Sequence, residues 1–226
     1  MTIKGLQKLT LLDYPGALAA IVFVGGCNFR CPFCHNGTLV LGNEGDIDTE
    51  EFFSFLESRR GRLSGVVVSG GEPTLYPDLP EFIARIRALG YKVKLDTNGT
   101  NPDMIKSLVL DGLVDYVAMD IKNSPDSYAV TAGAVPDMEK IRQSVDFLLS
   151  GSVEYEFRTT LVRQFHTRED MEKIGKWIKG AKRYFLQNYK HTDGVISEGL
   201  DAHTTKTVAE FLEVVLPYVP NAQIRG

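Results

Sequence analysis

Outside one eight-residue window this chain contains no cysteine: of 226 residues only Cys27, Cys31 and Cys34 carry a thiol. That distribution excludes a disulfide framework, which needs paired cysteines spread through the chain, and it leaves no thiol for a second metal centre. No stretch approaches the ~18 uninterrupted apolar residues of a membrane helix, and MTIKGLQKL at the start lacks the apolar run of a signal peptide. Basic charge is not in excess: 25 Lys and Arg stand against 29 Asp and Glu, a net of −4. A polyanion partner is therefore not expected, and the cluster of Arg59, Arg60 and Arg62 reads as a solvated helix end. No G-x-G-x-x-G follows a strand, so nothing suggests a dinucleotide site. Nor does a linker rich in Pro, Gly or Ser interrupt the chain, which reads as a single domain over residues 1–226. Unpaired thiols fit a reducing interior, and the expectation is a cytoplasmic protein with neither nucleic acid nor membrane as partner.

What the chain does have is a regular alternation of β-rich runs and amphipathic helices. Strands are expected over residues 19–25, 64–69, 91–97, 114–120, 153–161 and 183–187, several of them continuously apolar as in parallel strands covered on both faces. Helices begin at the Asp48/Glu51 and Asp78/Glu81 capping boxes and at Asn101-Pro102. Further apolar stripes run through Met138, Ile141 and Val145, and through Met171 and Ile174, with a closing helix over about 204–216. Six strand–helix units predict an α/β fold with one mostly parallel sheet, a partial (β/α)6 TIM-like barrel, with a doubly wound flat sheet as the runner-up. Both architectures put function at the C-terminal strand ends, where CNFRCPFC, GGEPT, DTNG and DIK fall.

Three uses of the C-x3-C-x2-C loop (within residues 25–36) compete. A zinc knot would need His35 as its fourth ligand and lacks the usual second ligand pair. A redox dithiol at Cys31 and Cys34 leaves Cys27 without a purpose. An iron–sulfur cluster with one iron free of protein ligands uses all three thiols. Of the other motifs, Gly70 and Gly71 let the backbone approach a ligand closely, and Pro73 stiffens the turn. Asp96 and Asp120 end neighbouring strands, and two carboxylates so placed need a compensating cation or a shared proton. Arg158, on an apolar strand, should face the barrel interior or mouth and seek a carboxylate. His166 and His203 are most simply surface residues.

Cys27 to Cys34, with Ser69-Gly70-Gly71-Glu72-Pro73-Thr74 after the second strand, resembles the radical S-adenosylmethionine superfamily. Leu11-Leu12-Asp13-Tyr14-Pro15-Gly16 and Cys34-His35-Asn36 resemble its glycyl-radical enzyme activating enzymes, most closely the anaerobic ribonucleotide reductase activating proteins, with the pyruvate formate-lyase activases as relatives. The likeness covers essentially the whole chain and weakens after Leu161. It implies a 4Fe–4S cluster on Cys27, Cys31 and Cys34. It also implies an S-adenosylmethionine site that includes Gly70, Gly71, Glu72, Asp96, Asn98, Lys122 and Arg158. A monovalent cation is implied on Asp96, Thr97 and Asp120. His35 is expected to shield or hydrogen-bond a cluster sulfur. The pattern departs near residues 187–191, where the activases carry a histidine and this chain offers Gln187, Asn188, Lys190 and His191.

The implied activity is reductive cleavage of S-adenosylmethionine followed by abstraction of a glycine Cα hydrogen in a glycyl-radical enzyme, with anaerobic ribonucleoside-triphosphate reductase favoured as that partner. A flavodoxin or ferredoxin would supply the electron. The alternative is a small enzyme of the superfamily acting on a metabolite, such as a 7-carboxy-7-deazaguanine synthase.

Overall fold

A computed structural model describes residues 1–42 and 45–226. Eight strands form one sheet in chain order: β1 (Ile3–Thr10), β2 (Ala19–Val24), β3 (Gly65–Gly70), β4 (Lys92–Thr97), β5 (Tyr116–Asp120), β6 (Glu154–Leu161), β7 (Tyr184–Asn188) and β8 (Ala222–Ile224). β1 and β2 pair antiparallel, and an isolated antiparallel bridge joins Ile3 to Ile47. The other six pairings, from β2 to β8, are parallel. The helices are α1 (Gly37–Leu41), α2 (Thr49–Ser58), α3 (Leu79–Ala88), α4 (Pro102–Leu110), α5 (Tyr128–Ala132), α6 (Met138–Leu149), α7 (Arg168–Trp177) and α8 (Thr205–Val215).

Alternation along each strand sorts the side chains into two layers. On the outer face Val66 and Val68, Val93 and Leu95, Val117 and Met119, and Tyr155 and Phe157 join the helix stripes in one large core. Each such residue, fully buried, contributes about 1.5–3 kcal/mol. A second, smaller cluster of Tyr14, Ala19, Ile21, Val67 and Tyr116 fills the inner face at the N-terminal ends of the strands. Above it the inner face turns charged, with Lys94, Asp96, Asp120, Glu156 and Arg158. The ion pair from Arg158 on β6 to Asp96 on β4, across β5, shows the sheet curled around that interior. The architecture is thus an α/β partial barrel.

All six expected strands form within about two residues of the expected ends. Two were not anticipated. The edge strand β1 is half exposed and has register shifts on both sides of its centre, so its residues do not alternate cleanly. The three-residue β8 is too short to carry a pattern. Asp48 caps α2 by accepting from the Glu50 and Glu51 amides. At α3 the expected box is absent: the Asp78 side chain makes no cap bond and instead accepts from the Met1 amino group. His166 is buried rather than on the surface, because its Nε2 meets the Lys122 carbonyl at 2.9 Å and its Nδ1 accepts from the Val162 amide at 3.1 Å. His203 is half-buried, and its Nε2 is enclosed without a partner among the described residues. Arg60 and Arg62 are exposed, as expected. Among the described residues no helix is long and apolar enough to cross a membrane.

Candidate functional site

The loop between β2 and α1 carries the three cysteines, and its own sequence explains its shape. Phe29 and Phe33 turn into the core, where Phe29 meets Tyr128 edge to ring at 6.4 Å and Phe33 meets Phe165 in a tilted pair at 6.3 Å. The Arg30 amide donates to the Ala132 carbonyl at 2.9 Å, and Ser197 donates to Pro32 at 2.9 Å. With the phenylalanines anchored inward, Cys27, Cys31 and Cys34 all line one cavity of about 330 Å³ at the C-terminal strand ends. Gly70, Gly71, Asp96, Thr97, Asn98, Asp120, Lys122 and Arg158 line the same cavity. Of the residues expected at the site only Glu72 does not.

Glu72 is fully buried, and its carboxylate is spent within the protein. One oxygen accepts from the Thr74 amide at 3.1 Å and from the Thr74 and Thr97 hydroxyls at 2.6 and 2.7 Å; the other accepts from the Asn98 amide at 2.6 Å. Burial raises its pKa while those donors pull it back. Through these bonds the Glu72 side chain ties the turn after β3 to the end of β4. The two glycines before it also have a more specific task than expected. Gly70 adopts φ +116°, and a Cβ on either glycine would run into the backbone of Val24 or Gly26. Their close approach is to the entry of the cysteine loop, held by Gly71 N–H to Val24 at 2.8 Å and Glu72 N–H to Gly26 at 2.9 Å.

The surroundings of the three thiols act on them in opposite directions. Burial pushes all three thiol pKa values up, that of Cys31 to about 11, while Lys122 pulls each of them down. At neutral pH they hold protons that an incoming metal must displace. The Phe29 amide points at the Cys27 sulfur at 3.3 Å, ready to support a thiolate. Among the described residues no group of three or more His, Cys, Asp or Glu side chains is arranged to hold a metal ion. A cluster is wider than an ion and asks for thiols spread around a cavity, not converging on a point.

Opposite the sulfurs, charges from three strands interlock. Arg158 donates through Nε to Asp120 at 2.9 Å and lies 3.5 Å from Asp96. Lys122 pairs with Asp120 at 2.9 Å, and Lys94 pairs with Asp96. Burial works against both carboxylates, but Arg158 with Lys94, and Arg158 with Lys122, hold Asp96 and Asp120 below the ordinary value of 3.8. Their stabilising contribution is thus complete above pH ~4 and is lost as pH falls below it. Arg158→Ala should cost about 2–3 kcal/mol at pH 7. That is less than a fully buried pair would lose, because the Asp120 side chain keeps 32% exposure. Urea unfolding at pH 7 and again near pH 3 should show the deficit shrinking in acid; a pH-independent deficit would assign it to lost packing.

His35 lines the cavity, but its Nδ1 sits 3.0 Å from the Thr192 hydroxyl and its ring packs against Tyr189, so it makes no hydrogen bond to sulfur among the described residues. The amide of Asn98 lies 3.9 Å from the Cys27 sulfur and bonds Asn28 at 2.8 Å. Of residues 187–191 only Gln187 reaches the cavity, since Asn188 is tied to the His203 backbone and His191 faces Tyr189. Asp13 and Thr160 line it without having been anticipated. Thr160 follows Arg158 by two residues, so strand alternation carried that signal. Asp13 enters from the β1–β2 loop, and only the path of the edge strand brings it there.

The Radical SAM superfamily profile matches residues 21–178. A Methanocaldococcus jannaschii protein named as a glycyl-radical enzyme activating enzyme is 34% identical over 230 residues, spanning 99% of this chain and 95% of that one. The pyruvate formate-lyase-activating enzyme of Streptococcus mutans is 30% identical over 209 residues, 85% of this chain and 78% of its own. Among solved structures, Streptococcus suis SuiB bound to S-adenosylmethionine superposes with a TM-score of 0.69 over 91% of this chain and 52% of that one. At 15% identity that likeness concerns the fold alone. With its profile match, its near end-to-end relative and three thiols gathered at the strand ends, the chain belongs to the radical SAM superfamily and is an enzyme related to the glycyl-radical enzyme activating enzymes.

Proposed function

We propose that this enzyme activates a glycyl-radical enzyme, with anaerobic ribonucleoside-triphosphate reductase the partner favoured by resemblance, and that residues 1–226 act as one catalytic domain. In this reading Cys27, Cys31 and Cys34 would hold a 4Fe–4S cluster, and the other residues lining the same cavity would hold S-adenosylmethionine. When bound, the cluster would pass one electron, received from a flavodoxin or ferredoxin, to S-adenosylmethionine, whose S–C5′ bond would break with release of methionine while C5′ takes the glycine Cα hydrogen, giving 5′-deoxyadenosine and a radical on the partner's glycine.

The chain's own residues do the rest. Lys122 and Arg158 present fixed positive charge to the cofactor's carboxylate. The backbone at Gly70 and Gly71 and the amide of Asn98 set its orientation, while Phe29 and Phe33, both buried, close the loop against water. A polypeptide substrate suits a chain with no further cysteine for an auxiliary cluster. The observation that carries the reading is the convergence of all three thiols and the Lys122–Arg158 cations on one cavity.

The test mixes anaerobically reconstituted enzyme, reductant and S-adenosylmethionine with candidate glycyl-radical enzymes deuterated at glycine Cα. A glycyl doublet in electron paramagnetic resonance, with deuterium in 5′-deoxyadenosine, is the expected result. Label-free 5′-deoxyadenosine, or full-rate turnover of a small metabolite without polypeptide, overturns it in favour of a metabolite enzyme.

A further inference from the structure

The resemblance implies a monovalent cation on Asp96, Thr97 and Asp120, and their arrangement here does not fit one. One Asp96 oxygen accepts from Lys94, and the other accepts from the Ser69 hydroxyl at 3.0 Å and faces Arg158 at 3.5 Å. Both Asp120 oxygens accept from cations, one from Arg158 and one from Lys122, each at 2.9 Å. The Thr97 hydroxyl donates to Glu72 at 2.7 Å and accepts from the Gly99 amide at 3.1 Å. A hard cation takes several oxygen ligands at once, and these oxygens are already engaged. Asp96 and Asp120 already face three protein cations, and Asp13, the third carboxylate lining the cavity, accepts from the Thr10 hydroxyl.

Lys94 is the unusual member of this set. It lies one pleat below Asp96 on the inner face of β4, and its side chain is 1% exposed. A lysine is almost never buried so completely unless it is paired, and its compact ammonium is a point charge of the kind an alkali ion would supply. Glu156, the next carboxylate of the interior, is already held by Arg225 at 2.7 and 3.0 Å and by Tyr116 at 2.8 Å, which leaves Asp96 as the partner of Lys94.

We propose that the Lys94 ammonium, behind Asp96 on the inner face of β4, is this enzyme's own counter-cation, and that the cavity recruits no monovalent metal ion. The inference rests on charge geometry and not on the activase reading: a protein that activated no glycyl-radical enzyme but bound no alkali ion would still uphold it.

The test uses sodium NMR relaxation on the reconstituted protein, with and without S-adenosylmethionine, and calorimetric titration of S-adenosylmethionine in sodium, potassium and caesium chloride at fixed ionic strength. Wild type should show no saturable sodium binding and one affinity in all three salts. Lys94→Met should gain a saturable sodium site that potassium competes for, and its S-adenosylmethionine affinity should differ between salts by about tenfold. Saturable sodium binding by wild type that disappears in Asp120→Asn overturns the proposal, as does a folded Lys94→Met with no cation response. If Lys94→Met does not fold, the wild-type arm decides alone: salt-independent affinity without sodium binding upholds the assignment, and a saturable site rejects it.

Discussion

Cys31→Ala should fold and yet lose iron, sulfide and all cleavage of S-adenosylmethionine. Cys31 is the buried member of the three, and removing its sulfur takes away little packing volume, so the stability cost should stay near 1 kcal/mol. Chemistry should respond far more strongly. The chain holds no fourth cysteine to replace a missing ligand, and the neighbouring His35 is oriented toward Thr192. Cys27→Ala and Cys34→Ala should behave alike. Anaerobic iron and sulfide analysis, beside assay of 5′-deoxyadenosine, checks the result in one preparation. Stoichiometric zinc without sulfide in wild type would reject the cluster. Retained cleavage in any of the three variants would remove that cysteine from the ligand set.

The second large effect is structural. Glu72→Ala should destabilise the protein by about 2–5 kcal/mol, because it strands the Thr74 and Asn98 amides in a dry interior. The Thr74 and Thr97 hydroxyls can turn to other acceptors, so the two amides dominate the cost. For a chain of this size that corresponds to a fall in melting temperature of about 5–15 °C. Glu72→Gln should lie between, since its amide group must face at least one donor where an oxygen now accepts. Calorimetric melts of the two variants beside wild type test the ordering. Wild-type melting in Glu72→Ala, joined to weaker S-adenosylmethionine binding, would return Glu72 to a direct role at the cofactor.

Much of this molecule is readable before folding is considered, and the reasons are local. The apolar runs that became β2 to β7 are short, bounded by turns and rich in β-branched residues, so each declares itself. Asp48 and Asn101 cap their helices through neighbours in sequence. Asp78 fails the same rule because a competing partner, the Met1 amino group, arrives from the far end of the chain. β1 escapes detection for a related reason: its register shifts and open edge break the alternation by which strands are recognised. His166 looked like a surface residue because its two partners, the Lys122 carbonyl and the Val162 amide, are backbone groups that no side-chain pattern announces.

The candidate site divides along the same line. Sequence alone determined the three thiols and the placement of the motifs at strand ends, because spacing within a loop and alternation along a strand are local properties. Only tertiary structure decided what neutralises Asp96 and Asp120. Lys94 and Asp96 share the inner face of one strand, which alternation could indicate, but Arg158 meets both carboxylates only because the curl of the sheet brings β6 toward β4. Glu72 follows the same logic: a carboxylate in a glycine-rich turn resembles a ligand contact until the ends of β3 and β4 close over it and supply four donors. Coulomb and hydrogen-bond energies depend on distance in space, and separation along the chain does not record that distance until the sheet has curled.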